Sequence, residues 1–145
     1  MSRALADAAL AALRTTGVSV HDSYVEIDES TKVITWPLPF LVFYSNLGDE
    51  FGEERLDGRS SRRNVDIEVA YIGETRDQAL LAGEKARAVL SGARLAVTGR
   101  RAWLCNLERS DRVNRADDAV RTGGLPLFVG RDYYTASVTT VRPVT

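Results

Sequence analysis

The stretch Asn64-Val65-Asp66-Ile67-Glu68-Val69-Ala70-Tyr71-Ile72 alternates polar and apolar residues, and a capped helix start follows it within three residues. Period-two alternation puts Val65, Ile67, Val69 and Tyr71 on one face of a strand. Gly73 ends the strand. Thr75-Arg76-Asp77-Gln78 has the spacing of a capping box, in which Thr75 and Gln78 satisfy each other's backbone amides. The helix it opens runs to about Ser91, with Gly92 as its stop. Ala79, Leu80, Ala82, Ala86, Val89 and Leu90 form its apolar stripe, while Glu84, Lys85 and Arg87 face away. A strand that hands over directly to an amphipathic helix requires a sheet for that helix to cover.

The rest of the chain supplies more strand than helix. Residues 2–16 read as a second amphipathic helix, with Leu5, Ala9, Leu10 and Leu13 near helical spacing and Gly17 as the stop. Residues 18–27 read as a strand or an extended connection. Val33-Ile34-Thr35-Trp36 leads to Pro37 and Pro39, which lack the amide donor of a central ladder and belong at an edge or a strand start. Phe40-Leu41-Val42-Phe43-Tyr44 follows as an apolar run. Residues 95–97 and 102–107 look like short strands joined at Gly99-Arg100-Arg101. Leu127-Phe128-Val129 leads through Gly130 into a two-faced strand, where Tyr134, Ala136 and Val138 alternate with Tyr133, Thr135 and Ser137. Two polar stretches, 45–63 and 108–124, read as long loops, and connections of that length are usually functional or disordered. The expected fold is α+β: one domain over residues 1–145, with a mostly antiparallel sheet, two helices on one face and two long charged loops.

Composition narrows the function classes. The 145 residues carry 19 Lys and Arg against 20 Asp and Glu, so nothing draws the whole molecule to nucleic acid or an anionic membrane. A single cysteine, Cys105, cannot close an internal disulfide and reads as a small buried hydrophobe, which fits a reducing cytosolic setting. Asp7 interrupts the N-terminal apolar run, so no signal peptide is expected, and no window approaches the roughly 18 apolar residues of a membrane span.

The search for chemistry returns little. One histidine, His21, excludes a paired-imidazole zinc site and reads as a partly exposed strand residue. No nucleophile elbow, phosphate-binding loop or dinucleotide fingerprint is present. Asp49, Glu50, Glu53, Glu54 and Asp57 gather carboxylates, but without the spacing of a calcium loop. Arg55, Arg59, Arg62 and Arg63 follow them and give the segment both signs of charge. Three readings stay open for it: contact with another protein chain, plain solvation, or local contact with DNA phosphates. Most aromatics lie inside apolar strands and read as core. No catalytic residue, cofactor or metal is expected.

The order of pieces resembles the tail terminator proteins of long-tailed bacteriophages, small α+β subunits that cap the tail tube. The likeness is carried by the helix ending Leu13-Arg14-Thr15-Thr16-Gly17 and by the proline-marked run Trp36-Pro37-Leu38-Pro39-Phe40-Leu41-Val42-Phe43-Tyr44. The strand, turn and helix start from Val65 to Ala79 and the closing strand Asp132-Tyr133-Tyr134-Thr135-Ala136-Ser137-Val138 carry it too. The resemblance implies a minor tail protein of siphovirus type, placed at the head–tail junction of the virion and assembled in the host cytoplasm. It implies a ring, typically of six subunits, that stops tail-tube polymerisation and meets the head-completion proteins. DNA passes through the hole, no membrane is involved, and there is no enzymatic activity. The sites it implies are interfaces: Asp49, Glu50, Glu53, Glu54, Arg55, Arg59, Arg62 and Arg63 in the first charged segment, and Arg109, Arg112 and Arg115 in the second. A ring subunit has two neighbours and two stacking partners to meet, which suits two charged segments on a small sheet. Another head–tail connector or neck protein is the alternative within the class. A small enzyme with an unrecognised site and a DNA-binding module are the alternatives outside it.

Overall fold

The computed structural model describes residues 2–23, 33–34, 37–46, 49–54, 60–97, 101–121 and 126–139. Two helices and seven strands follow in the order α1 (Ser2–Arg14), β1 (Ser19–Asp22), β2 (Val33–Ile34), β3 (Phe40–Ser45), β4 (Asp49–Glu54), β5 (Ser60–Gly73), α2 (Arg76–Leu90), β6 (Asn106–Arg121) and β7 (Pro126–Thr139). The strands form one sheet in the order β1-β3-β5-β7-β6-β2, with β4 also paired to β5. Parallel pairing occurs at the two margins, β1 with β3 and β2 with β6. The interior ladders are antiparallel. The expected α+β class with a mostly antiparallel sheet is the observed one.

Both charged stretches expected to be loops are strands for most of their length. β3 pairs with residues 67–72 of β5 and β4 with residues 60–64, so the chain from Phe40 to Glu54 runs along one side of β5 as an interrupted arm of a long hairpin. Asn46, just after β3, is tied to β5 by its side chain. Its side chain accepts a bond from the Asp66 amide at 2.9 Å and donates to the Asp66 carboxylate at 3.1 Å. The second stretch is β6, paired with β7 from Asn106↔Thr135 to Val120↔Pro126 with three register shifts. Of the short strands expected at 95–97 and 102–107, residues 95–97 form none, 102–105 carry only the isolated bridges Arg94↔Leu104 and Ala102↔Val138, and Asn106 and Leu107 begin β6.

The pleat sorts the sheet residues onto two faces. Val65, Ile67, Val69 and Tyr71 of β5 join Leu41 and Phe43 of β3 and Tyr134, Ala136 and Val138 of β7 under the helices. α1 contributes Leu5, Ala9, Leu10 and Leu13, and α2 contributes Ala79, Ala82, Ala86 and Leu90. Fully burying one aliphatic side chain of this size stabilises by about 2 kcal/mol, so this layer holds both helices to the sheet. The opposite face buries a smaller cluster at one end: Phe40, Val42, Ala70, Ile72 and Leu127.

The helix ends follow the sequence signals. Thr75 accepts from the Gln78 amide at 3.1 Å. The return bond differs from a strict capping box, because the Gln78 side chain accepts from the amide of Glu74, one residue before the cap. Gly92 takes φ +76° and Gly17 φ +82°, left-handed values that suit glycine at helix C-termini.

Candidate functional site

The sheet face away from the helices is ordered in rows by the strand registers. Tyr44 of β3 lies opposite Glu68 of β5, Glu68 opposite Tyr133 of β7, and Tyr133 opposite Arg109 of β6. On one side of this row, Asp66 aligns with Thr135, which aligns with Asn106; on the other, Ala70 aligns with Arg131 and Arg131 with Asp111. The face thus grades from the buried Phe40–Ile72 end to a polar, aromatic middle.

Side chains in the middle are tied across strands. The Arg109 guanidinium stacks 4.2 Å from the Tyr133 ring centroid and lies 3.8 Å from the Asp111 carboxylate. The Tyr133 hydroxyl donates to Asp111 at 3.0 Å. Arg131 reaches Glu68 at 3.8 Å. Between Leu107 and Arg109 the β6 register shifts by one residue, which leaves Glu108 as the extra residue of a bulge. A groove of about 410 Å³ runs over this region, lined by Tyr44, Asp66, Glu68, Glu108, Arg109 and Tyr133 among others. Three carboxylates against one guanidinium make it acidic.

On the helix side lies a cluster that sequence reading missed. Asp132 is fully buried and accepts bonds from five donors. Arg87 contributes two, from Nε at 2.6 Å and from a terminal nitrogen at 2.9 Å. Ser110 donates at 2.7 Å, the Tyr71 hydroxyl at 3.2 Å and the Tyr134 hydroxyl at 3.4 Å. Arg87 therefore does not point away from the core, as the helical stripe suggests; its long stem carries the guanidinium back over β6 and β7, where it also donates to Ser110 at 2.8 Å. Burial pushes the Asp132 carboxyl up, but the bonds from Arg87, Ser110 and Tyr71 outweigh it and hold the group below its ordinary range. Burial, followed by the charge of Asp132, raises the Tyr134 phenol. With five donors on two oxygens, Asp132 has no lone pair left for a substrate, so the cluster works as a latch between α2, β6 and β7.

The other expected residues are dispersed. Asp49, Glu50, Glu53 and Glu54 fall on β4, and Arg62 and Arg63 on β5, with Glu50 opposite Arg63 and Phe51 opposite Arg62. Arg55, Asp57 and Arg59 lie outside the described residues. Arg109, Arg112 and Arg115 are exposed along β6. From Asn64 to Gly73 along β5 is roughly 30 Å at the rise of a strand, so the β4–β5 hairpin and the β6–β7 hairpin prolong opposite ends of the sheet. The charged segments do not form one site. His21 lies in β1 with its ring edge-on to Phe40 at 5.3 Å, and burial lowers its pKa. Burial pushes the Cys105 thiol up to about 11, which leaves it an unreactive core residue. Among the described residues no group of three or more His, Cys, Asp or Glu could hold a metal ion, and no helix is long and apolar enough to cross a membrane.

No family model matches the chain, and no curated protein matches it in sequence. A solved structure does match in fold. It is a chain of the virion of the native gene transfer agent particle, superposed with a TM-score of 0.56 at 18% identity over 90% of this chain and 84% of that one. At that identity the likeness establishes a shared fold, carried through nearly the whole length of both chains.

Proposed function

We propose that this chain is a structural protein of a phage-like virion and acts as a tail terminator. In this reading it closes into a ring, typically of six copies, on the end of the tail tube and halts tube polymerisation. Its other side then meets the head-completion proteins, and DNA passes through the hole. The observation that carries the proposal is the fold shared over 90% of this chain with a chain from a gene transfer agent virion. The layout supports it in a second way. Charged hairpins prolong opposite ends of the sheet, as a subunit needs when it meets different partners above and below.

The test mixes purified protein with tail tubes of the same particle and images them by negative stain, with mass determined by light scattering. Rings, and tubes capped at one end that no longer elongate, are the expected result. Tubes that elongate unchecked while the protein attaches to isolated heads would replace the capping role with that of another head–tail connector. A protein that ignores both would remove the virion reading.

A further inference from the structure

We infer that the open face of the sheet is a docking trough for an extended segment of a separate partner protein, one that carries an apolar side chain and, four residues away, an arginine or lysine. Two grooves meet on this face. The acidic groove runs into a second one, of about 420 Å³, through the shared lining residues Glu108 and Thr135. Trp103 and Leu104 line the second groove. Leu104 is 45% exposed, and Trp103 is half-buried with the Arg101 guanidinium 5.9 Å from its ring centroid. An exposed leucine next to a half-buried tryptophan is an anchor point for an apolar side chain of a partner.

The two ends of the trough differ in charge. With the flanking ion pairs counted, Asp66, Glu68, Glu108 and Asp111 stand against Arg109 and Arg131 at the acidic end, four carboxylates to two guanidiniums. At the Trp103 end a cation, Arg101, is already in place. A basic side chain of the partner is therefore drawn to the first end and an apolar one to the second. Tyr44, half-buried opposite Glu68, offers a ring to that cation, as Tyr133 does to Arg109. The strand registers set the spacing. The Trp103 amide donates to the Ser137 carbonyl at 3.0 Å, which fixes the apolar end at the row of Ser137 and Asn64. The acidic end lies at the row of Tyr133 and Glu68, four residues along β7. Four strand residues span roughly 13 Å, so an extended segment lying along β7 reaches both ends with residues i and i+4, which point to the same side. Asn106 and Thr135, paired in register between the two ends, supply amide and hydroxyl groups for the backbone of that segment. A neutral glycan would use this polar floor but neither the excess charge nor Leu104.

The test titrates the isotope-labelled full chain with a seven-residue peptide, leucine second and arginine sixth on a serine–threonine background, and maps the perturbed residues by NMR. Saturable shifts are expected at Tyr44, Glu68, Trp103, Leu104, Glu108 and Tyr133, with affinity falling as salt rises. Glu108→Gln and Leu104→Ser each change one exposed residue; thermal melts confirm that they fold, and each should weaken binding by about fivefold. A peptide with leucine and arginine adjacent, and one with glutamate in place of arginine, should bind about tenfold more weakly than the first. Shifts scattered over the surface, no saturation up to about 1 mM peptide, variants that bind as the wild type does, or equal binding of the three peptides would overturn the inference. A maltooligosaccharide that shifts the same residues as strongly would give the face to a glycan and overturn it. Shifts of those residues on diluting the protein alone would give the face to a second copy, with the same result. The terminator role is read from capped tubes and stands or falls independently of these titrations.

Discussion

At the scale of single residues, the Arg87–Asp132 latch sets the most demanding constraints. Removing Arg87 leaves a fully buried carboxylate without its cation, whereas changing Asp132 leaves an arginine side chain that is already 42% exposed and can return its charge to water. Arg87→Ala is therefore expected to cost about 3 kcal/mol and Asp132→Asn about 2, measured by urea unfolding at pH 7. Their pH dependence follows from the depressed Asp132 carboxyl. A carboxylate with a lowered folded pKa contributes stability that is complete above its unfolded value near pH 4, and that is lost as pH falls through the lower folded value. Without Arg87, burial dominates and raises the folded pKa, so the gap between wild type and Arg87→Ala should widen from pH 3 to pH 6. A gap independent of pH would show that the ion pair is not what holds α2 down. Gly130 sets a second constraint, because a Cβ there would fall inside contact range of the Tyr71 ring, 2.7 Å from Cζ and 2.9 Å from the hydroxyl. The ring cannot retreat, since Gly83 backs its other side and its hydroxyl is bonded to Asp132. Gly130→Ala should cost about 2 kcal/mol, and less in a Tyr71→Leu background, where the ring is gone.

At the scale of elements, α2 ends as its sequence predicts, and the cap can be weighed directly. Thr75→Ala removes the acceptor for the Gln78 amide and should lower stability by about 1 kcal/mol. Glu74 and Gln78 keep their own bond, so the helix start should persist in circular dichroism while the melting temperature drops. β5, β7 and both helices were legible because each has one buried face that imposes a period on the apolar residues. β6 was not. Its residues from Glu108 to Arg112 are exposed on both faces and four of the five are charged, so the alternation has nothing to report. β4 is short and its sequence, Asp-Glu-Phe-Gly-Glu-Glu, has the composition of a loop; its strand state comes from the ladder that β5 offers. The latch was hidden for another reason. Arg87 and Asp132 are 45 residues apart, and helical periodicity places the Arg87 backbone correctly without showing that its side chain reaches over the sheet. Only the acidic and basic composition of the two charged segments could be read in advance, not that they sit on separate hairpins.

At the scale of the whole molecule, the two charged hairpins prolong opposite ends of one sheet, and that separation predicts separable effects. In the proposed ring, the exposed β6 positions Arg112 and Arg115 stand at one of these ends and would meet a partner other than the neighbouring copy. Charge reversal there, Arg112→Glu with Arg115→Glu, changes two exposed residues and should change stability by less than about 0.5 kcal/mol. It should also leave self-association at the wild-type level in sedimentation velocity. Binding to tail tubes or to heads should nevertheless weaken, with a smaller dependence on salt, because two cations have been taken from that contact. The ring-forming and partner-binding functions would then sit on different hairpins of the same sheet. If the β6 variant instead lost self-association, the β6–β7 hairpin would belong to the contact between copies, and the two ends of the sheet would not divide the two functions.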